Sequence, residues 1–133
     1  MLKNLKITDF EIHSKGKTNL LAINREGLGA RQIERVFFLI ASEVDRRGGH
    51  AHKACTQWFS LLSGKANLIL MDGLATEKFE LESIGQVIEV PPKIWVEIEI
   101  LGPSIIAVFT DEDYDESDYI RDWQDFSKIK DDR

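Results

Sequence analysis

The chain alternates between short apolar runs and turn-forming residues, and only its C-terminal part departs from this pattern. Six of the runs are rich in Val, Ile, Phe and Trp and have the length of β-strands. They are Ile33–Ala41, Gln57–Leu62, Lys65–Met71, Gly85–Val90, Ile94–Leu101 and Ser104–Thr110. Gly- and Pro-containing turns separate them, and Asp72-Gly73 is a strong hairpin signal. Strands at this spacing, with no helix between them, predict an antiparallel sandwich or barrel.

The C-terminal part has the pattern of a helix. Apolar residues recur at helical spacing from Tyr119 to Ile129, so we predict one amphipathic helix there that packs on the sheets. The acidic run Asp111–Asp118 comes just before it. Acids favour a helix N-terminus, which predicts a solvated turn and helix cap, with a metal-binding loop as the alternative.

Length and charge narrow the class of protein. The chain has 133 residues, and we expect a single domain over residues 1–133. Its 17 basic and 23 acidic residues give a net charge of −6, which disfavours broad nucleic-acid binding. No apolar run is long enough to span a membrane, and acids and lysines in MLKNLKITDF indicate no signal peptide. The single cysteine, Cys55, excludes an intrachain disulfide and is expected to be structural; a cytoplasmic location is the simplest expectation.

The sharpest local feature is the run Arg47-Gly48-Gly49-His50-Ala51-His52-Lys53, which has two histidines two residues apart. Side chains at positions i and i+2 of a strand point to the same face. Both imidazoles are therefore expected to line one cavity, where they suit acid–base chemistry near neutral pH. Two surface or core-edge histidines are the alternative interpretation.

The spacing around the histidines resembles the first motif of the cupin superfamily, G-x5-H-x-H-x(3,4)-E-x6-G. The two histidines and Gly64 fall in register, with Gln57 in the glutamate position. This resemblance implies an all-β fold, a cupin-type (RmlC-like jelly-roll) antiparallel β-barrel with a short C-terminal helix.

The second cupin motif resembles G-x5-P-x-G-x2-H and is matched only in part. Gly85 and Pro91 fit it, whereas Lys93 and Val96 stand in its glycine and histidine positions. A cupin metal site uses the two histidines and the glutamate of the first motif and the histidine of the second. Here an amide and an isopropyl group replace the glutamate and the last histidine, so only two histidines remain. Because metals bound by imidazole normally take three or four protein ligands, we expect no metal requirement.

Six stretches together resemble one cupin subfamily, the nucleotide-sugar 3,4-ketoisomerases of the FdtA or WxcM-like group. They are Arg35–Phe38, Arg47–Lys53, Ser63–Lys65, Asp72-Gly73, Pro92–Trp95 and Asp113–Arg121. The resemblance implies an enzyme of deoxyamino-sugar biosynthesis that moves the keto group of a dTDP-4-keto-6-deoxyhexose from C4 to C3. It also implies catalysis without a cofactor, and a homodimer that exchanges strands between its subunits.

The resemblance implies site residues as well. His50 and His52 are the expected catalytic pair, and we expect His52 to act on the C3 proton, although the sequence does not decide their order. Substrate binding is expected from Lys15, Arg35, Arg47, Lys53, Gln57, Trp95 and Arg121. Arginine suits a diphosphate because its planar fork makes two parallel hydrogen bonds. A solvated arginine is the alternative for Arg47, and a surface ion pair with Asp118 or Asp125 is the alternative for Arg121.

Several positions depart from the subfamily and keep other functions open. Phe37 and Phe38 stand where it usually has tyrosine, Lys15 stands for an arginine, and Val96 for a histidine or arginine. These changes leave the C4 configuration of the product and the sugar itself undecided. The alternatives are a related nucleotide-sugar isomerase or epimerase, a non-catalytic cupin that binds a nucleotide sugar and, least favoured, a metal-dependent dioxygenase.

Overall fold

The computed structural model describes residues 5–131. Met1–Asn4, which begin the segment for which no signal peptide is expected, lie outside the described residues, as do Asp132 and Arg133. The structure therefore does not cover the whole predicted domain. No helix in the described part is both long enough and apolar enough to cross a bilayer.

Strands dominate the described chain. In order, they are β1 (Lys6–Asp9), β2 (Ile12–Lys15), β3 (Thr18–Leu21), β4 (Arg35–Ala41), β5 (Asp45–His52), β6 (Gln57–Ser63), β7 (Ala66–Met71), β8 (Thr76–Leu81), β9 (Gln86–Val90), β10 (Trp95–Ile100), β11 (Ser104–Thr110) and β12 (Tyr119–Ile120). The helical elements are α1 (Arg25–Leu28), a short 3-10 helix (Glu116–Asp118) and α2 (Trp123–Asp131).

Two antiparallel five-stranded sheets form the body of the protein. The first sheet has the strand order β1-β9-β6-β11-β4, and the second has the order β12-β5-β10-β7-β8. Buried side chains from both sheets, such as Phe59, Leu68, Ile98 and Ile106, pack into one shared core. This arrangement confirms the predicted all-β jelly-roll barrel with a short C-terminal helix. Strands β2 and β3 form a separate two-stranded sheet whose residues are mostly exposed.

The outer faces of the two sheets are covered by different parts of the chain. Around α1, Leu28 packs with Trp58 on the outer face of the first sheet. On the second sheet, Phe126 of α2 packs with Trp95 and with Ala51, which lies between the two histidines. Strand β5 is therefore held from behind by α2, which fixes the position of the strand that carries the histidines.

The six predicted strands are confirmed, with ends that differ by at most two residues. The predicted start of the C-terminal helix is wrong, because α2 begins at Trp123 and not at Tyr119. Tyr119 and Ile120 instead form β12, which pairs with His52 and Ala51 of β5. Because these two residues pair with the free edge of β5, the helix starts only after them.

A bulge in β5 decides which of its side chains face inward. His50 lies opposite Val96, but the next paired residue is Gly48, so Gly49 is extra. Gly48 has a φ of 97°, and a Cβ added to it would lie 2.6 Å from the carbonyl oxygen of Val96. The position therefore needs glycine. Because of the extra residue, Arg47 faces the same side as His50, although three positions separate them.

Candidate active site

A cavity with a volume of about 350 Å³ lies between the two sheets. We call it the large cavity. Its polar lining consists of Arg35, Arg47, His50, Gln57, Tyr119 and Arg121. Phe37 and Phe59 of the first sheet and Val96 and Ile98 of the second supply much of its apolar wall. Its volume and mixed lining are typical of a small-molecule site.

The charge of the large cavity is opposite to that of the whole chain. Three arginines line it, and no aspartate or glutamate does so among residues 5–131. The chain as a whole carries a net charge of −6. Guanidinium groups bind phosphates through paired, charge-assisted hydrogen bonds, so the cavity is suited to an anionic ligand.

His50 projects into the large cavity as a neutral imidazole. Burial is the main cause that lowers its pKa to about 4, and the positive charges of His52, Arg121 and Arg47 lower it further. At neutral pH the ring therefore carries a free nitrogen lone pair. A neutral imidazole beside an open cavity can act as a general base.

His52 has a different environment. It is buried, with 6% of its surface exposed, and its Nδ1 lies 3.0 Å from Oδ2 of Asp118. Its side chain lines a second cavity of about 10 Å³, the small cavity, and not the large one. The prediction that both histidines line one cavity is therefore wrong, although their ring centroids are 5.3 Å apart.

Asp118 is held in place by the backbone of the loop after β5. Its Oδ1 accepts a hydrogen bond of 2.8 Å from the amide of Ala54, and its Oδ2 accepts one of 3.3 Å from the amide of Cys55. The amide of Lys53 donates to the carbonyl oxygen of Asp118 at 2.9 Å. Burial lowers the pKa of His52, and Asp118 opposes that fall. A carboxylate fixed in this way sets the orientation and tautomer of the imidazole.

Tyr119 lines both cavities, as does Arg35. The centroid of the Tyr119 ring is 5.1 Å from that of His50 and 4.3 Å from that of His52. Arg121 lies over the same ring, with its guanidinium carbon 4.2 Å from the centroid. The phenol ring is therefore packed between both histidines and a cation at the wall of the large cavity.

Arg121 makes an ion pair at the edge of the large cavity. Its Nε and Nη2 donate to the two carboxylate oxygens of Glu116 at 2.7 and 3.0 Å. This contact lowers the pKa of Glu116 to about 2. The alternative interpretation of Arg121 as part of a surface ion pair is correct in kind. Its partner is Glu116 and not Asp118 or Asp125, and the pair lies beside the large cavity.

The structure places the two altered cupin ligand positions next to His50. Gln57 and Val96 are both buried and line the large cavity. The Oε1 atom of Gln57 has no hydrogen-bond partner among the described residues. That free acceptor is available to a hydroxyl group of a ligand.

Three predicted substrate-binding residues lie away from the large cavity. Trp95 precedes Val96 by one position, so strand alternation turns it to the outer face, where it packs on Trp123 and Phe126. Lys53 is exposed and lines a surface groove beside α2. Lys15 is exposed on the β2–β3 hairpin. Within one chain, the structure thus brings together His50, Arg35, Arg47, Gln57 and Arg121.

Sequence reasoning did not single out Asp118, Tyr119 or Glu116 as site residues. Asp118 lies 66 positions from the histidine that it contacts. No local pattern reports such a pair, and its acidic neighbours made it look like part of a solvated turn. Part of that turn prediction is right, since Asp115 caps the 3-10 helix by accepting from the amide of Ser117. Cys55 is buried, and burial raises the pKa of its thiol to about 12.

The chain is similar to known proteins in family, sequence and fold. Residues 3–131 match the family model FdtA, described as WxcM-like, C-terminal. A TDP-4-oxo-6-deoxy-alpha-D-glucose-3,4-oxoisomerase from Aneurinibacillus thermoaerophilus is 30% identical over 125 residues, which cover 92% of this chain and 90% of the relative.

Solved structures show the same fold. The sugar 3,4-ketoisomerase QdtA from Thermoanaerobacterium thermosaccharolyticum, crystallised with TDP, superposes with a TM-score of 0.93 at 24% identity, covering 100% of this chain and 98% of its own. The TDP-quinovose 3,4-ketoisomerase WlaRB from Campylobacter jejuni gives a TM-score of 0.85 at 27% identity, covering 96% and 99%. With a family model that matches nearly the whole chain and a relative of almost equal length, the protein belongs to the FdtA (WxcM-like, C-terminal) family.

Proposed function

We propose that the protein is a TDP-sugar 3,4-ketoisomerase that moves the keto group of a TDP-4-keto-6-deoxyhexose from C4 to C3. The observation that carries the proposal is the large cavity, where a neutral histidine stands among three arginines in an acidic protein. The relative from A. thermoaerophilus, whose name describes this reaction, supports it. The unpaired Cys55 fits a reducing cytoplasm as the place of the reaction.

His50 is the proposed base for the sugar carbons. It takes the proton from C3, the electrons form a C3–C4 double bond, and the C4 oxygen takes a proton to give an enediol. A proton returned to C4 and one lost from the C3 oxygen complete the isomerisation, so substrate and product have the same atoms. Because His50 lines the large cavity and His52 lines the small one, we assign the C3 proton to His50, whereas the sequence-based expectation was His52.

His52 is the proposed positioning partner of this step. Asp118 holds its Nδ1, which leaves Nε2 without a hydrogen-bond partner among the described residues. Its ring packs at 4.3 Å against Tyr119, which forms the wall next to His50. Proton transfer between the C3 and C4 oxygens needs a group that both gives and accepts a proton, and the phenol of Tyr119 has that capacity.

The three arginines are the proposed contacts for the diphosphate and for charge that develops on oxygen. Arg35 and Arg47 come from facing sheets, and Arg121 follows β12. Arg121 is paired with Glu116 in the free protein, so binding of a diphosphate exchanges one anionic partner for another. Gln57 supplies the free acceptor for a sugar hydroxyl.

Solvent exchange tests the reaction. Purified protein is incubated in D2O with TDP-4-keto-6-deoxyglucose, and the sugar is followed by NMR. A 3-keto product with deuterium at C4 is expected, because the returned proton comes from a group that exchanges with solvent. Deuterium at C3 with the keto group still at C4 would identify an epimerase. Tight TDP binding with no deuterium at any ring carbon would identify a binding module and end the proposal.

The proposed reaction uses no metal. Gln57 and Val96 occupy two cupin ligand positions beside His50, so an amide and an isopropyl group stand where a carboxylate and an imidazole would bind a metal. Turnover is expected to survive exhaustive treatment with EDTA. A loss of turnover that a divalent ion restores would contradict this part of the proposal.

We further propose that the protein is a homodimer with strand exchange. β4 is an edge strand of the first sheet, and Val36, Phe38 and Ile40 on its outer face are exposed. Such an edge is open to pairing with another strand. The exposed β2–β3 hairpin is a candidate for the exchanged element. Exchange of that hairpin would also carry Lys15 away from its own body and towards a second subunit.

Replacement of Ile40 by glutamate tests the dimer. Ile40 is 76% exposed on the edge strand, so a buried charge at a subunit interface is expected to give a monomer by light scattering or ultracentrifugation. Leu74→Glu is the matched control, because Leu74 is 85% exposed in the turn between β7 and β8. A wild-type monomer, or an unchanged mass for Ile40→Glu, would refute the proposed interface.

A further inference from the structure

Three side chains of different metal-binding chemistry lie together behind Tyr119, outside the large cavity. They are His52, Cys55 and Asp118, and one donor atom from each lies within 4.8 Å of the other two. None of them except His52 belongs to the two cupin motifs. The cluster therefore shares only His52 with the metal position of the fold, whose other two ligand positions are occupied by Gln57 and Val96 beside His50.

We propose that His52, Cys55 and Asp118 form a zinc-binding site, and that zinc bound there inhibits the enzyme. Imidazole, thiolate and carboxylate are the three side-chain ligands that zinc prefers. A tetrahedral zinc ion with these ligands places their donor atoms roughly 3.3–3.6 Å apart. The Nδ1 of His52 and Oδ2 of Asp118 are already 3.0 Å apart, so small side-chain rotations complete the set.

The surroundings of the cluster favour a cation. Glu112, Asp113 and Asp115 line the small cavity together with Asp118, and Arg35 is the basic residue in the lining. The cavity volume of about 10 Å³ is close to what one water molecule needs, so it matches a single bound ion. His52 is 6% exposed and its Nε2 has no partner among the described residues, so the ring is not tied down on that side.

Binding leaves a neutral site and releases one proton. Zinc takes the thiolate of Cys55, the carboxylate of Asp118 and the neutral ring of His52, and the thiol proton passes to solvent. Occupation of Nδ1 shifts the ring proton to Nε2. His52 then loses both its hydrogen bond to Asp118 and its free lone pair, which is how zinc inhibits the proposed reaction. The binding itself does not depend on that reaction; only the inhibition rests on the proposed function.

Binding of Co²⁺ in place of Zn²⁺ tests the proposed site by absorption spectroscopy. Cys55 is the sole cysteine of the chain, so a thiolate-to-cobalt charge-transfer band in the near ultraviolet can only come from this site. The EDTA-treated protein titrated with Co²⁺ is expected to develop the band, and excess Zn²⁺ is expected to abolish it. If no band develops in the wild-type protein, the proposed site does not exist.

Cys55→Ser is the matched variant, because it keeps the size of the side chain and removes the thiolate. Its zinc affinity, measured against a chromophoric chelator, is expected to fall more than about tenfold, since even partners behind a ligand cost about 10–100-fold. His13→Asn is the control, because His13 lies beside Glu11 on the exposed hairpin, at 3.7 Å, and is a plausible adventitious site. Equal zinc affinity in Cys55→Ser, or a loss in His13→Asn, would overturn the assignment.

Measurements of turnover test whether bound zinc inhibits the enzyme. Zinc is expected to inhibit the wild-type protein, EDTA to restore it, and Cys55→Ser to turn over normally and resist zinc. Zinc that binds without loss of turnover refutes the inhibitory role. A protein with no turnover at all counts against the proposed function, whereas the cobalt band still decides the metal site.

Discussion

The large cavity and the small cavity share Tyr119 and Arg35 in their linings, yet they differ in size and charge. The large one has about 350 Å³ and three arginines without a carboxylate among the described residues. The small one has about 10 Å³ and four carboxylate side chains with one arginine. His50 belongs to the first and His52 to the second, although both are on the inner face of β5.

This difference shows that a shared strand face does not give two side chains the same chemistry. Alternation along β5 decides that both imidazoles point inward, and the C-terminal segment decides what each one meets. In that segment, Asp118 contacts His52 in the small cavity, and Tyr119 lies in the wall of both cavities. The cationic side is suited to a phosphorylated substrate, and the anionic side holds the partner histidine in one orientation.

Replacement of His50 is expected to have the largest effect. His50→Asn removes the proposed base, and turnover should fall on the order of 100-fold or more, as for loss of a general base. TDP affinity by calorimetry should stay close to wild type, because the arginines remain. A variant that turns over like wild type would show that the neutral imidazole in the large cavity is structural.

Asp118→Asn tests the small cavity and is expected to have the second-largest effect. Loss of the carboxylate removes the hydrogen-bonded partner that opposes the fall in the pKa of His52. We expect kcat to fall roughly 10- to 100-fold, by analogy with other carboxylates that orient an imidazole. KM should hardly change, because Asp118 does not line the large cavity.

Thermal unfolding of the same variant separates positioning from folding. A normal melting temperature with a lowered kcat supports the positioning role. A KM that rises while kcat is kept would contradict the division between the two cavities.

The arginines come next, and two neighbours on β5 offer a matched comparison. Arg47 lines the large cavity, whereas Arg46 pairs with Glu97 and Glu99 on the outer face at 3.2 and 3.3 Å. Arg47→Met is expected to weaken TDP binding about tenfold, the value of one charge-assisted hydrogen bond. Arg46→Met should bind TDP normally. Equal affinities for both variants would remove Arg47 from the anion site.

The pH dependence of stability is the smallest expected effect. The pKa of His50 is lowered from 6.5 to about 4, mainly by burial and then by His52, Arg121 and Arg47. Below pH 6.5 the unfolded chain binds a proton that the folded chain does not. The stability that this group contributes is therefore complete above pH 6.5 and is lost as the pH falls towards 4, at no more than about 1.4 kcal/mol per pH unit.

Urea unfolding at several pH values measures this slope. His50→Gln is expected to reduce it between pH 6.5 and 4, with His52 accounting for part of what remains. The acidic limb of the pH–rate profile should lie well below pH 6.5 for the same reason. Identical slopes in the variant and the wild type would show that His50 titrates normally in the folded protein.

The sequence was most informative where packing is regular. Strands such as Ser104–Thr110 have alternating or continuous apolar residues because both sheets pack into one shared core. The first and last residues of these strands were predicted to within two positions. The hairpin β2–β3 was missed because its residues are mostly exposed and carry no apolar pattern. The start of α2 was misplaced because helical spacing cannot report that β5 has an open edge for Tyr119.

The candidate site divides in the same way. His50 and Arg47 could be named from one motif, because a bulge and strand alternation are local properties. Trp95 could have been assigned to the outer face by its position beside Val96, and here alternation was the better guide than the motif. Asp118 and Tyr119 reach the histidines only through the tertiary pairing of β12 with β5, for which the sequence carries no local signal.

The pairing of β12 with β5 also makes completion of the site separable from formation of the barrel. Every strand of the barrel body other than β12 precedes Asp111 in the chain, and so does most of the wall of the large cavity. The carboxylate for His52 and the phenol ring that lines both cavities come only with Asp118 and Tyr119. Local opening of the two-residue strand β12 would thus leave a nearly complete barrel with His50 in place, but without the geometry that makes the base useful.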